Sequence, residues 1–254
     1  MARHFGAALL GATALCLTLA APGTISKAEA FEIEGAGLTV QVTPTASTDY
    51  VFRGISQTRN RPAIQGTLDV EHSSGFYVGA FVSNIAFAGT DARQEVDVLA
   101  GYRFTVAGVK LDLGGVYYLY PGYDRQPGQF DLNWFEFAAR ASYELDPAKF
   151  FASAFYSPNF QAESRNALYL EGGVDLKLPG EFTLGGRLGY QWIDRNNRFG
   201  TPDYLNWSVT LSREIAYGVT LSVGYYDTNI RRAECVGGQK ICDARAMVTL
   251  SRTF

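Results

Sequence analysis

The chain has 254 residues, 47% of them hydrophobic and 14% aromatic, and its 22 basic and 25 acidic residues give a net charge of −3. This balance argues against nucleic acid as a partner, because nucleic-acid-binding proteins usually carry a basic surface. The length fits one large all-β domain or two small ones, and 27 glycines suit a β-rich chain.

The first thirty residues have the features of a secretory signal peptide. Arg3 and His4 precede an apolar run over 5–21, and Ala28-Glu29-Ala30 places small residues at the two positions that a signal peptidase reads. The run is shorter than the roughly 20 residues of a spanning helix, which disfavours a retained anchor. We therefore expect residues 1–30 to be removed and residues 31–254 to form one exported domain.

Apolar and polar residues alternate through most of the remaining chain, which is the period of a β-strand with two different faces. The pattern predicts about twelve strands, near 38–56, 62–72, 75–85, 94–105, 109–120, 133–145, 149–157, 166–177, 181–192, 204–213, 218–227 and 244–254. The connections alternate between tight turns and longer polar loops. Outer-membrane barrels have this asymmetry, with short periplasmic turns and longer external loops.

Aromatic residues on the apolar face fall near the two ends of the predicted strands. The turn end has Phe76, Phe104, Tyr143, Phe150, Phe182 and Phe254, and the loop end has Tyr50, Phe52, Tyr117, Phe135, Tyr156, Tyr190, Trp192, Trp207 and Tyr225. Aliphatic residues such as Val98, Leu113 and Leu188 lie between them. Two aromatic belts around an aliphatic band are typical of a surface that crosses a bilayer, so we expect this face to contact lipid.

The opposite face of the predicted strands carries charged residues. We expect its members to line a wet interior, with the pore-lining set Asp49, Arg53, Glu95, Asp97, Arg103, Glu136, Arg140, Glu171, Asp175 and Arg187, together with Asp69, Glu71, Lys110, Asp112, Glu144 and Lys177. Acids outnumber bases in this set. Acidic groups around a pore favour cations, so the sequence predicts a weak cation preference.

The C-terminal segment "AMVTLSRTF" alternates and ends in Phe254. This ending resembles the signal by which barrel proteins are delivered to the outer-membrane assembly machinery, although Arg252 stands where an apolar or aromatic residue is usual.

Four segments together carry a resemblance to a known family: "DYVFRGISQTRNRPAIQG" (49–66), "SGFYVGAFVSN" (74–84), "QEVDVLAGYRF" (94–104) and "GGVYYLYPG" (114–122). They resemble the TorF-type family of outer-membrane porins, most clearly over the first third of the exported chain. The resemblance implies an outer-membrane β-barrel that admits small solutes, and it does not identify the solute.

Asp49 and Arg53 lie four residues apart on the predicted inner face. They are compatible with a charged constriction that sorts ions, or with a structural ion pair between the first strand and its neighbours. We favour the ion pair, because charges within a membrane generally pair.

Cys235 and Cys242 flank "VGGQKI" in the last long loop. Export to an oxidising compartment predicts a disulfide between them. His72 is the only histidine after residue 30, and it lies beside a turn, so a Ser-His type of catalytic site is not expected. No cysteine and histidine cluster has metal-ligand spacing, and we expect no cofactor.

These patterns together predict an all-β protein, a transmembrane antiparallel up-and-down β-barrel of about 12 strands in the outer membrane of a Gram-negative bacterium. The favoured function is a porin-like channel for passive diffusion of small polar solutes or ions, with no enzymatic step. The expected partners are outer-membrane lipid, the barrel assembly machinery and the solutes themselves. The alternative is a closed-lumen barrel with a structural or loop-mediated binding role, and an outer-membrane hydrolase is disfavoured by the single histidine.

Overall fold

A computed structural model describes residues 30–33 and 35–254. The predicted signal peptide therefore lies outside the described residues, apart from residue 30. The strands are β1 (Phe31–Ile33), β2 (Leu38–Ser47), β3 (Val51–Phe52), β4 (Ile55–Ser56), β5 (Ala63–His72), β6 (Phe76–Asn84), β7 (Gln94–Val106), β8 (Val109–Leu119), β9 (Trp134–Leu145), β10 (Ala148–Ser157), β11 (Ala167–Leu178), β12 (Phe182–Ile193), β13 (Tyr204–Ala216), β14 (Val219–Thr228) and β15 (Arg245–Arg252).

The helical elements are short and lie in the loops: α1 (Asn196–Phe199) and the 3-10 turns Gln161–Glu163, Arg232–Glu234 and Lys240–Cys242. Within the described part of the chain, no helix has the length and apolar character needed to cross a membrane.

Twelve strands, β2 and β5 to β15, form a closed antiparallel barrel, as the alternation predicts. Each strand from β5 to β15 pairs with its neighbour in sequence, and β2 closes the ring by pairing with both β5 and β15. The β2–β15 ladder runs from Ser47↔Thr249 to Thr45↔Ser251, and Val42 and Phe254 then exchange two backbone hydrogen bonds. The short β1 pairs with the first residues of β2.

The two ends of the barrel differ. At one end, which we call the turn end, tight connections over 73–75, 107–108, 146–147, 179–181 and 217–218 join the strands. At the other, the loop end, the connections are longer and span 48–62, 85–93, 120–133, 158–166, 194–203 and 229–244. The predicted alternation of short and long connections is therefore confirmed.

The outer face of the barrel is apolar. Its side chains include Leu68, Val98, Leu113, Leu188 and Val209, each between 41% and 56% exposed. Aromatic side chains lie on the same face near both ends, with Phe76, Tyr143 and Phe150 towards the turns and Tyr117, Tyr156, Trp192 and Tyr225 towards the loops. Exposure of so much apolar surface is typical of a barrel that contacts lipid.

The prediction for the first strand was wrong. A single strand over 38–56 would have placed Tyr50 and Phe52 on the lipid face, but β2 ends at Ser47 and pairs there with Ala63. The chain between these two positions turns into the barrel, and Tyr50 is only 3% exposed. The tenth predicted strand, 204–213, was also too short at its end, since β13 continues through a bulge to Ala216.

Candidate functional site

The candidate site is the barrel interior, which is formed by alternate residues of every strand. Inward positions are odd-numbered in β7 and even-numbered in β8 and β9, as their buried residues show. All ten residues of the predicted pore-lining set lie on this inner side or on the inserted segment described below. Asp49, Arg53, Glu95, Asp97, Glu136 and Asp175 are buried, and Arg103, Arg140, Glu171 and Arg187 are partly buried.

A hairpin folds into the barrel from the loop end. We call residues 48–62 the inner hairpin; its strands β3 and β4 pair through Val51↔Ser56 and Phe52↔Ile55. The turn residues Arg53 and Gly54 have φ angles of +47° and +82°. A Cβ atom at Gly54 would lie 2.5 Å from Thr228 Cγ2 and 2.8 Å from Asn206 Cβ, so both the backbone angle and the available space require glycine.

Arg53 joins the tip of the inner hairpin to strands across the barrel. Its Nη2 lies 2.7 Å from Glu136 Oε2 in β9, and its Nη1 donates to Gln191 Oε1 in β12 at 2.8 Å. The guanidinium carbon is also 4.3 Å from the ring centre of Tyr169 and 5.1 Å from that of Phe155. Arg53 is 1% exposed, so this ion pair is shielded from water and stronger than a surface pair.

Asp49 holds the base of the inner hairpin. Its Oδ1 accepts hydrogen bonds of 2.6 Å from Ser56 Oγ and from Thr58 Oγ1, and its Oδ2 lies 2.9 Å from Arg245 Nη1. Arg245 belongs to β15, the strand beside β2. Asp49 and Arg53 therefore bind different partners, and both anchor the hairpin in the barrel.

Aromatic rings fill much of the interior around the inner hairpin. The Tyr118 and Trp134 rings stack at 3.8 Å, and Phe52 of the hairpin meets both of them edge-on at 6.0 and 6.2 Å. Tyr50 meets Phe81 edge-on at 5.7 Å and donates a 2.5 Å hydrogen bond to Glu95 Oε1. The interior at this level is therefore narrow and packed with rings as well as lined by charges.

A second polar cluster lies nearer the turn end and is made of ion pairs that join β7 to β5 and β8, and β8 to β9. Arg103 contacts Asp69 at 2.8 Å, Glu71 at 2.6 Å and Asp112 at 3.7 Å, and Arg140 contacts Asp112 at 3.2 Å. Tyr77 donates to Asp112 Oδ1 at 2.8 Å.

A separate pair on the other side of the barrel joins Arg187 to Asp175 at 2.8 Å, and Glu171 accepts a 2.8 Å hydrogen bond from Tyr169. Paired charges of this kind are the usual arrangement inside a membrane-embedded structure.

Several interior residues were missed by the sequence prediction, notably Tyr77, Tyr118, Trp134, Tyr169 and Gln191. The alternation of the strands could have identified them, because every second residue of a strand points inward. Tyr118 is an even-numbered residue of β8, like Asp112, and Tyr77 is on the same face of β6 as Phe81 and Ser83. The prediction assigned rings to lipid and charges to the interior, whereas the inner face of this barrel carries both.

Cys235 and Cys242 form a disulfide in the last long loop, as the sequence predicts. Both are fully buried against Tyr204 and Ile230 at the loop end of the barrel. His72 lies at a turn, where its Nδ1 is 2.7 Å from Ser74 Oγ. Among the described residues, no group of three or more His, Cys, Asp or Glu side chains is arranged to hold a metal ion.

The fold is similar to solved outer-membrane proteins. A NanC porin structure aligns with a TM-score of 0.53 at 11% identity and covers 84% of this chain and 98% of that chain. An outer membrane channel from Pseudomonas putida F1 aligns with a TM-score of 0.48 at 12% identity, covering 91% and 99% of the two chains. At such low identity, the NanC alignment shows a shared barrel fold and nothing more specific.

A search of curated proteins finds no match. The profile of a family described as "Bacterial protein of unknown function (Gcw_chp)" matches residues 33–254, which includes all of the barrel and the inner hairpin. The chain therefore belongs to the Gcw_chp family.

Proposed function

We propose that this protein is an outer-membrane channel through which small polar solutes or ions diffuse passively. The observation that carries the proposal is the contrast between the two faces of a closed barrel. The outer face is apolar with aromatic residues near both ends, and the interior holds the buried ionisable side chains of Asp49 and Arg53 on the inner hairpin and of Asp97 and Glu136 on the wall. A polar interior inside an apolar shell suits a pathway for water-soluble molecules across a bilayer.

The location and assembly of the protein are parts of the same proposal. Residues 1–30 act as a signal peptide, and the barrel is inserted by the assembly machinery of a Gram-negative outer membrane, which reads the C-terminal segment that ends in Phe254. The TorF-type resemblance of residues 49–122 supports this proposal, as does the barrel fold shared with the NanC porin.

The predicted cation preference also belongs to the proposal. Acids outnumber bases on the inner face, and an acidic pore attracts cations. Reversal potentials across a planar bilayer in a salt gradient test this property. Preferential permeation of chloride contradicts it.

The closed-lumen barrel is a second candidate, favoured by the inner hairpin. Arg53 reaches across the interior and is almost fully buried, so the hairpin occupies space through which a solute would pass. In the channel proposal, the same hairpin is a constriction that leaves a narrow path for ions or moves to open one.

A planar-bilayer experiment separates the two functions. We compare the wild-type protein with a variant in which residues 51–56 are replaced by a short Gly-Ser linker, and with a control shortened in the external loop at 125–128. Discrete conductance steps in the wild type support the channel. If the steps of the hairpin variant are larger than those of the wild type, and those of the loop control are not, the hairpin is the constriction of the channel.

Conductance only in the hairpin variant supports the closed-lumen barrel, in which the hairpin is a permanent plug. Absence of steps in all three proteins contradicts the channel function. Liposome swelling with small sugars then shows whether uncharged solutes pass.

A further inference from the structure

The inner hairpin packs against the last long loop, residues 229–244. Ile55 of β4 is buried and lies in one apolar cluster with Tyr204, Ile230, Cys235 and Cys242. Cys235 and Cys242 are the residues that the disulfide joins. The hairpin therefore shares a packed core with the disulfide of this loop.

Polar contacts join the same two segments. Arg245 follows the loop directly, and its Nη1 lies 2.9 Å from Asp49 Oδ2 and donates to Asn60 Oδ1 at 2.7 Å. Its Nη2 donates to the carbonyl oxygen of Asp243 in the loop at 2.7 Å. Asn60 Nδ2 also donates to the carbonyl oxygen of Lys240 at 3.4 Å. One guanidinium group therefore bonds to the base of the hairpin and to the loop together.

The disulfide closes a short ring within the loop, since its two cysteines are 7 positions apart. The carbonyl oxygen of Cys235 accepts hydrogen bonds of 2.8 Å from the amides of Gly238 and Gln239, and that of Cys242 accepts one of 2.9 Å from Thr228 Oγ1 at the end of β14. Covalent closure reduces the number of conformations that a loop can adopt. The disulfide therefore keeps in place the surface on which Ile55 packs.

The inner hairpin needs such surfaces to keep its position. Its strands β3 and β4 have two residues each, and an isolated two-stranded hairpin is marginally stable at best in water. Arg53 and Phe52 hold it to the barrel wall, and Ile55 and Asn60 join it to the last long loop. Loss of the loop contacts therefore weakens the attachment of the hairpin.

We propose that the last long loop, closed by the Cys235–Cys242 disulfide, is a latch that holds the inner hairpin inside the barrel. Displacement of this loop, or opening of its disulfide, frees the hairpin to leave the interior. The inference deepens the proposed function, because it names the part of the chain that regulates the constriction, and it rests on the hairpin being that constriction.

The first test follows hydrogen–deuterium exchange by mass spectrometry on the purified barrel in detergent. In the double variant Cys235→Ala with Cys242→Ala, amides over 50–58 are expected to exchange about tenfold faster than in the wild type, because local opening controls exchange. Amides of β8 and β9 are expected to keep their protection. Arg231→Ala is the control, since it removes an exposed side chain of the same loop and should leave exchange over 50–58 unchanged. Faster exchange confined to 229–244 overturns the latch.

The second test reads the same coupling from the hairpin side and leaves both cysteines in place, so it decides the question even if the double variant does not fold. Dithiothreitol reduces the disulfide to two thiols and is itself oxidised to its cyclic disulfide. Ile55→Ala is expected to raise the rate of this reduction several-fold, because Ile55 covers the two cysteines. Val116→Ala, which opens space at a buried residue of β8 outside that cluster, is the matched control and should keep the wild-type rate. Equal rates in Ile55→Ala and the wild type overturn the latch.

Bilayer recordings of the same variants distinguish this inference from the channel proposal. Faster exchange of the hairpin in the double cysteine variant, with no conductance in any protein, keeps the latch and rejects the channel. Conductance in the wild type, with unchanged hairpin exchange in the double variant, keeps the channel and rejects the latch. If both hold, the double variant is expected to show larger conductance steps than Arg231→Ala.

Discussion

At the scale of single residues, the interior depends on a few long-range polar contacts. Arg53 and Glu136 are 83 positions apart in sequence, and Asp49 and Arg245 are 196 apart. The residue types and their inward direction were predictable from alternation. Their partners were not, because pairing across a barrel depends on how the hairpin is inserted and not on spacing along the chain.

Replacement of Arg53 by methionine is expected to destabilise the barrel. The substitution leaves Glu136 buried without its counter-charge, and removal of one partner of a buried pair costs about 3–5 kcal/mol. The free energy of unfolding in urea, measured in lipid vesicles, checks this value.

Two further variants test the explanation of this prediction. The double variant Arg53→Met with Glu136→Leu is expected to recover part of the loss, since no charge is then left unpaired. Lys177→Met removes an exposed pair with Asp146 and is expected to cost less than about 1 kcal/mol. Stability of Arg53→Met equal to that of the wild type contradicts the role of Arg53.

At the scale of elements, the strands were predictable and the inner hairpin was not. The predicted runs at 109–120 and 181–192 correspond closely to β8 and β12. The alternation over 47–56 looked like a continuation of the first strand, because a hairpin between two buried surfaces has the same period. The turn was hidden because Arg53 stands where Asn, Asp or Gly usually signals a type I′ hairpin turn.

Gly54→Ala is expected to displace the tip of the inner hairpin. The new Cβ atom meets Thr228 and Asn206 at less than 3 Å on a backbone with positive φ, and such overpacking costs about 1–3 kcal/mol. Tryptic cleavage after Arg53, followed by mass spectrometry on reconstituted protein, should increase several-fold over the wild type.

Gly186→Ala is the control for this substitution. A Cβ atom at Gly186 meets nothing within 4 Å, so its cleavage pattern should match that of the wild type. Equal protection of Arg53 in both variants would show that the hairpin tolerates a side chain at its tip.

At the scale of the whole molecule, the apolar outer face and the polar inner face make the barrel stable in a lipid bilayer. The aliphatic band and the aromatic positions of the outer face were predictable, because a bilayer imposes them on every spanning strand. The ring-filled interior was not predictable from the same rule. The inserted hairpin makes part of the inner surface a packed core. Aromatic side chains are buried in protein cores as well as at lipid-facing surfaces, so an aromatic residue alone does not show which face it is on.

Leu188→Arg is expected to destabilise the protein in a bilayer by about 2–4 kcal/mol, since it places a cation at the middle of the lipid face. Leu145→Arg, at the turn end of β9, is the matched control and should cost about 0–1 kcal/mol. Unfolding free energies in lipid vesicles compare the two. Equal costs would contradict a membrane-spanning orientation.

The ladder between β2 and β15 joins the earliest and the latest parts of the barrel to be synthesised. A nascent chain that stops after β14 has two unpaired edges, whose amide and carbonyl groups find no partners in hydrocarbon. Such a fragment is expected to be left outside the bilayer and degraded. The eight residues of β15 therefore act as a check that only chains synthesised through this strand become embedded.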